Sequence, residues 1–169
     1  MKSENTALDL NKFKQVSKNR ASHNKKFLQR LKSKDPRKID DVFHKTHAEV
    51  FEEIDCLNCA NCCKTTSPIF YPNDIDRIAK SLKTKPGEFI EKYLRIDEDN
   101  DYVLRSSPCP FLDGDNYCRI YDVRPKACRE YPHTDRKKMV QITDLTYKNT
   151  LVCPAVLEIV ERIKSIVVE

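Results

Sequence analysis

The run Cys56-Leu-Asn-Cys59-Ala-Asn-Cys62-Cys63 constrains this chain more than any other feature. Two-residue gaps let neighbouring sulfurs converge on one ion, with the intervening backbone amides turned toward the thiolates. Four more cysteines follow at 109, 118, 128 and 153, making eight in 169 residues. A metal adds binding free energy to folding. This chain has need of it: only 39% of its residues are hydrophobic and 34% are charged, so apolar burial has a large conformational entropy to offset.

Two other uses of the cysteines fit less well. An even number of them is compatible with a disulfide framework, but the first thirty residues contain no continuous apolar run of the kind an export signal needs. The chain is therefore read as cytoplasmic, where thiols stay reduced. One or two cysteines can serve as small buried hydrophobes; a run of four in eight residues does not fit that role. All eight, Cys56, Cys59, Cys62, Cys63, Cys109, Cys118, Cys128 and Cys153, are candidate metal ligands. Cysteine-only sites suit zinc and iron–sulfur clusters alike. The steps Cys109-Pro110 and Cys153-Pro154 echo the Cys-Pro that ends ferredoxin runs and tilt the choice slightly toward iron–sulfur. Cys153 also precedes a predicted helix, whose free amides and positive dipole end favour a thiolate or a cluster sulfide.

The periodicity predicts a fold that is α+β and mostly α, with long cysteine-rich irregular segments and a small hairpin built around the metal or cluster site. Leu10, Phe13, Val16, His23, Phe27 and Leu31 mark a basic amphipathic helix over 8–33. Asp35-Pro36 stops and restarts the chain. A second helix, 36–54, carries the stripe Ile39, Val42, Phe43, His47, Val50, Phe51 and Ile54. The cysteine run reads as a loop. A short strand at 67–71, a helix from Pro72 to about Leu82, a helix bearing Phe89, Ile90, Tyr93 and Leu94, and a hairpin around Glu98-Asp99-Asn100 follow. Residues 109–133 show little periodicity, and Pro154 to Val168 returns to an amphipathic helix. The acidic stretch 97–101 lacks the glycine and terminal glutamate of a calcium loop.

Charge divides the chain. Residues 1–38 hold twelve Lys and Arg against three Asp and Glu, about +9 of a net +5. The domains are accordingly read as a basic N-terminal helical arm, 1–38, and a cysteine-cluster metal-binding domain, 39–169. The arm is a candidate grip for nucleic-acid phosphates, although a helix packed on the domain is the favoured reading. No segment approaches the length of a membrane helix, and two glycines cannot build a phosphate-binding loop.

Arg124 and Arg129 flank Cys128. Four thiolates on Zn²⁺ leave a net negative charge, which guanidinium donors could offset from a second layer; ordinary ion pairs with Asp122 or Glu130 are the alternative. Tyr121 and Tyr131 are expected near the cluster. His133 is unnecessary as a ligand beside eight cysteines, and His47 is expected on the apolar face of its helix.

Three segments together carry a resemblance. Cys56-x2-Cys59-x2-Cys62-Cys63, then Cys109-Pro110-Phe111-Leu112, then Cys118-Arg-Ile-Tyr-Asp-Val-Arg124-Pro125-Lys-Ala-Cys128-Arg129-Glu-Tyr131-Pro132 resemble the bacterial YkgJ-type cysteine-cluster (CxxCxxCC) family of zinc- or iron-chelating proteins, over about residues 45–155. Flagellin lysine N-methylases carry a similar cluster. The resemblance implies metal chelation through the matching cysteines and supplies no reaction. Three functions stay open: a metal or cluster protein in redox chemistry, metal handling or support of protein modification; a zinc-structured nucleic-acid module; and a metal-dependent enzyme related to protein lysine methylation.

Overall fold

The computed structural model describes residues 9–167. They divide into two compact units. One combines 9–59 with 132–167 and is helical; the other is 60–131.

In the helical unit, Asp9 caps α1 (Leu10–Leu31) by accepting from the amides of Asn11 and Lys12, both at 3.0 Å. Asp35 then caps α2 (Pro36–Glu53), with proline in the first turn where its missing N–H costs nothing. After residue 132, the chain makes a single-turn helix at Met139–Ile142, then α7 (Thr143–Thr150) and α8 (Pro154–Val167). Helix α1 packs on α7 and α8, and α2 packs on α8. Phe27, Leu28 and Leu31 of α1, Ile39, Phe43 and Val50 of α2, and Val156, Ile159, Val160 and Ile163 of α8 share one core. At its edge Arg162 forms two bonds to the Glu53 carboxylate, at 3.0 and 2.6 Å.

The α2 and α8 stripes lie where the periodicity puts them. Two other elements differ. In α1, Val16 and His23 are exposed, and Ser17 and Asn24 are buried in their stead. Both polar side chains find internal partners: Ser17 Oγ donates to the Lys14 carbonyl at 3.1 Å, and Asn24 Oδ1 accepts from Lys164 Nζ at 2.8 Å. Helix α7 was not expected from apolar spacing, because it turns threonines inward. Thr146 Oγ1 donates to the Ile142 carbonyl at 3.0 Å and Thr150 Oγ1 to the Tyr147 carbonyl at 2.6 Å, which allows both to be buried.

The second unit begins with α3 (Asn61–Thr65), entered through Ala60 at φ 47°. The cysteine run is thus not one loop: a single-turn helix, Cys56–Asn58, ends in the first unit and α3 starts the second. Next come α4 (Pro72–Ser81) and α5 (Pro86–Tyr93), each with proline in its first turn. The hairpin β1 (Leu94–Ile96) and β2 (Tyr102–Leu104) is antiparallel, with Leu94 opposite Leu104. Its acidic tip folds on itself: Asp97 Oδ1 accepts the amides of Asp99 and Asp101 at 3.0 and 2.9 Å. The strand expected at 67–71 shrinks to one bridge, Phe70 to Tyr102. Phe70, Ile75, Ile78, Phe89, Leu94, Leu104, Phe111 and Ile120 form the core, with the Phe89 and Phe111 rings stacked 6.1 Å apart. Helix α6 (Lys126–Glu130) closes the unit. The architecture is the mostly helical α+β class with one small hairpin. No helix among the described residues is long and apolar enough to cross a membrane.

The register of α1 is open to a direct check. Leu28→Ala, at a side chain 1% exposed, is expected to cost about 2–5 kcal/mol in urea denaturation. Val16→Ala, one step off the buried face, is expected to stay within about 0.5 kcal/mol.

Candidate metal centre

Each unit owns a set of thiols. In the unit 60–131, α3 carries Cys62 and Cys63, whose sulfurs lie 4.0 Å apart. The Cys109 amide donates to the Cys63 carbonyl at 2.8 Å, which fastens the next cysteine segment to α3. Residues 109–119 then double back: the Asp113 amide donates to the Tyr117 carbonyl at 2.8 Å, Arg119 N–H to the Phe111 carbonyl at 2.9 Å, and Leu112 bridges Cys118. Cys109 and Cys118 therefore stand on the two arms of one small loop.

Cys128 is brought in by a buried carboxylate. Asp74, 2% exposed on α4, accepts from Arg77 at 2.6 Å, the Lys126 amide at 3.1 Å and the Tyr71 amide at 3.2 Å. Arg77 in turn donates to the carbonyls of Arg124 and Val123 at 2.9 and 3.4 Å. Helix α4 thus holds the segment from which α6 starts.

The thiols of this unit bear on one another electrostatically. Burial raises Cys128 to about 12, and the charges of Cys63, Cys109 and Cys118 add to the effect. Cys109 is raised by burial, opposed by the Phe111 amide, and raised further by Cys63 and Cys118. Cys118 is raised by burial against the pull of the Ile120 amide, with Cys63 again adding. Cys63 moves the other way, down to about 7, chiefly because the Cys62 thiol hydrogen-bonds to it; Lys64 helps. Amides aimed at Cys109 and Cys118 match the N–H to sulfur bonds that support thiolate ligands.

Arg124 takes part in this environment. Its guanidinium lies 3.7 Å over the Tyr121 ring, its Nε is buried without a hydrogen-bond partner, and its charge lowers both Cys118 and Cys128. Arg129 is exposed and bears on none of the shifted thiols. Neither arginine pairs with Asp122 or Glu130 among the described residues; Glu130 pairs with Lys126 at 3.7 Å. Tyr121 is largely exposed and stacks on Tyr117 at 6.1 Å.

The helical unit holds Cys56, Cys59 and Cys153. Asp55 caps the single turn Cys56–Asn58 by accepting from the Leu57 amide at 2.9 Å, and the Cys59 amide donates to the Cys56 carbonyl at 3.0 Å. Cys153 sits at the mouth of α8, where the Val156 and Ala155 amides donate to its sulfur. Burial nonetheless raises it to about 11, and Cys56 and Cys59 contribute repulsion. Cys59 is buried and Cys56 exposed. An open surface depression of about 510 Å³, lined by Phe51, Glu52, Glu53, Ile54, Asp55 and Asn58, includes the exposed Cys56.

His44 and His47 are engaged elsewhere. His44 Nε2 meets the Arg136 carbonyl at 2.9 Å. His47 Nδ1 meets Thr134 Oγ1 at 2.8 Å, its ring lies 4.5 Å from that of Phe51, and burial lowers its pKa. Among the described residues, no three Cys, His, Asp or Glu side chains already form a finished metal site. The donor chemistry itself, thiols supported by amides and one guanidinium, fits zinc or iron–sulfur and not a hard cation.

Residues 55–154 match the CxxCxxCC family, described as "Putative zinc- or iron-chelating domain". An uncharacterized protein of Methanocaldococcus jannaschii is 33% identical over 97 residues, 54% of this chain and 50% of that protein. The chain thus spans about half the length of the curated relative it matches. No solved structure matches it.

Asp74 offers a test of how the Cys128 segment is held. Asp74→Ala strands the Arg77 guanidinium and the Lys126 amide, and is expected to cost about 3 kcal/mol in chemical denaturation. Asp74→Asn keeps an acceptor and is expected to lose less.

Proposed function

The chain belongs to the CxxCxxCC family, and on that premise we propose that it chelates zinc or an iron–sulfur cluster through Cys63, Cys109, Cys118 and Cys128, with Cys62 beside them. One observation carries the reading: Cys63 adds to the charging cost of Cys109, Cys118 and Cys128, so thiols from three separated segments share one environment within a single unit. Without a cation, several of them must stay protonated. With one, attraction replaces repulsion and the thiolates become stable. The amides of Phe111, Leu112 and Ile120 stabilise the sulfur charge, and the Arg124 guanidinium offsets the net negative charge that remains. Arg129 is a weaker candidate for that task, since it is exposed. When bound, zinc would cross-link these segments, whereas a cluster would add one-electron chemistry. The two Cys-Pro steps favour the cluster. Redox work, metal handling or support of a protein-modifying enzyme, in the cytoplasm, all follow from such a centre.

A second reading rests on Cys56, Cys59 and Cys153. Three thiols leave one tetrahedral position unfilled by cysteine, and the exposed member lies in the acidic surface depression. A metal there would have the open position that catalysis requires. In cobalt-substituted protein, added imidazole is then expected to shift the visible ligand-field bands, and Cys153→Ser to remove that response. Bands indifferent to imidazole would sink the open-site reading.

Anaerobically purified protein is expected to contain iron with acid-labile sulfide, or zinc, and to lose it in a Cys128→Ser variant. Metal at a thousandfold excess over its dissociation constant stabilises the fold by about 4 kcal/mol, so a chelator is expected to lower the melting temperature. Native protein with neither metal, whose melting is unmoved by added zinc or iron and sulfide, would refute chelation.

A further inference from the structure

The outward face of α1 has no part in the metal centre. Leu10–Leu31 contains seven Lys and Arg and no Asp or Glu. Its buried side is Phe13, Ser17, Asn24, Phe27, Leu28 and Leu31. At 3.6 residues per turn, the line opposite is Asn11, Gln15, Lys18, Ser22 and Gln29, all exposed. Lys14 and Lys25, with Lys32 just beyond the helix, run along one side of that line. Lys12, His23, Lys26 and Arg30 run along the other. Amide and hydroxyl groups, with Lys18 among them, therefore crown the helix between two rows made mostly of lysine and arginine.

Folding does not require this pattern. Lys14 and Lys18, and Lys26 and Arg30, are like charges four residues apart, which weakens a helix. Arg20 pairs with Glu161 and Lys32 with Asp144, and Lys25 lies over the Tyr147 ring. Lys12, Lys14, Lys18, Lys26 and Arg30 have no acidic partner among the described residues.

We propose that this face of α1 binds duplex DNA by lying in the major groove, with Asn11, Gln15, Ser22 and Gln29 toward the base edges and the two cationic rows toward the phosphates of the two strands. A helix with its side chains is about 10–12 Å across and the groove about 12 Å wide. Asparagine and glutamine are the side chains that pair two-pronged with adenine, and lysine and arginine displace counterions from phosphate. Other polyanions fit less well. The deep, narrow major groove of duplex RNA does not admit side-chain reading. Single strands need aromatic platforms, but Phe13 and Phe27 are buried. A membrane surface needs the helix's apolar side, and that side is already packed in the core.

Fluorescence anisotropy on the full chain tests the proposal, using a mixed-sequence DNA duplex, an RNA duplex of the same sequence and anionic lipid vesicles over a range of salt. DNA is expected to bind most tightly. Lys12→Gln/Lys26→Gln/Arg30→Gln, all on the exposed side and so neutral to folding by circular dichroism, is expected to weaken DNA binding at least tenfold at low salt. It should also lower the slope of log K against log salt by about 3, roughly 0.9 per phosphate contact. Gln15→Ala/Gln29→Ala is expected to keep that slope and narrow the spread of affinities among different DNA sequences. The proposal is overturned if DNA is not bound at the lowest salt, if the triple variant binds like the parent, or if RNA or vesicles bind more tightly. A sequence spread unchanged in the glutamine variant would overturn the base-edge contact. None of these readouts depends on metal content.

Discussion

The cost of putting several thiolates side by side in a partly buried place governs the unit 60–131. Apolar packing there is modest and the loops are long, yet the folding of α3, the 109–119 loop and α6 brings sulfurs together that repel one another once charged. Burial adds to that cost, and a few groups reduce it by degrees: amides at Cys109 and Cys118, the Cys62 thiol at Cys63, the Arg124 guanidinium near Cys118 and Cys128. These groups are partial charges or a single positive charge. A thiophilic cation is the counter-charge that would complete the set.

The supports come from ordinary secondary-structure chemistry put to a local purpose. Asp74 is an acid in the first turn of α4, a common place for one, yet its carboxylate also accepts the Lys126 amide and thereby positions a distant segment. Cys153 occupies the site at the start of α8 where an Asp or Ser would usually cap, and takes the same two amides. In both places an element's end does two jobs.

Much of this was legible in the residues. The α2 and α8 stripes, the proline-started helices, the hairpin with its acidic tip and the amides at Cys153 follow from local rules. Three things were not. Ser17, Asn24, Thr146 and Thr150 are buried through hydrogen bonds that a hydrophobic period does not register. The cysteine run looks like one loop but is parted at Ala60, because the break depends on which core each side joins. Arg124 and Arg129 stand on either side of Cys128 in sequence, and only the fold separates the half-buried guanidinium over Tyr121 from an exposed one.

The parting at Ala60 means that inheritance and folding use different boundaries. The family segment 55–154 takes in the whole unit 60–131 but only fragments of the helical one: it lacks α1 and α2 and stops at the first residue of α8. Phe43 and Val50 of α2 and Val156, Ile159 and Val160 of α8, which share the helical core, all lie outside it. The matched segment thus holds the whole hydrophobic core of the unit 60–131 and little of the helical core. Cys56, Cys59 and Cys153 lie inside the matched segment, whereas α1 with its cationic face, α2 and all but the first residue of α8 lie outside it.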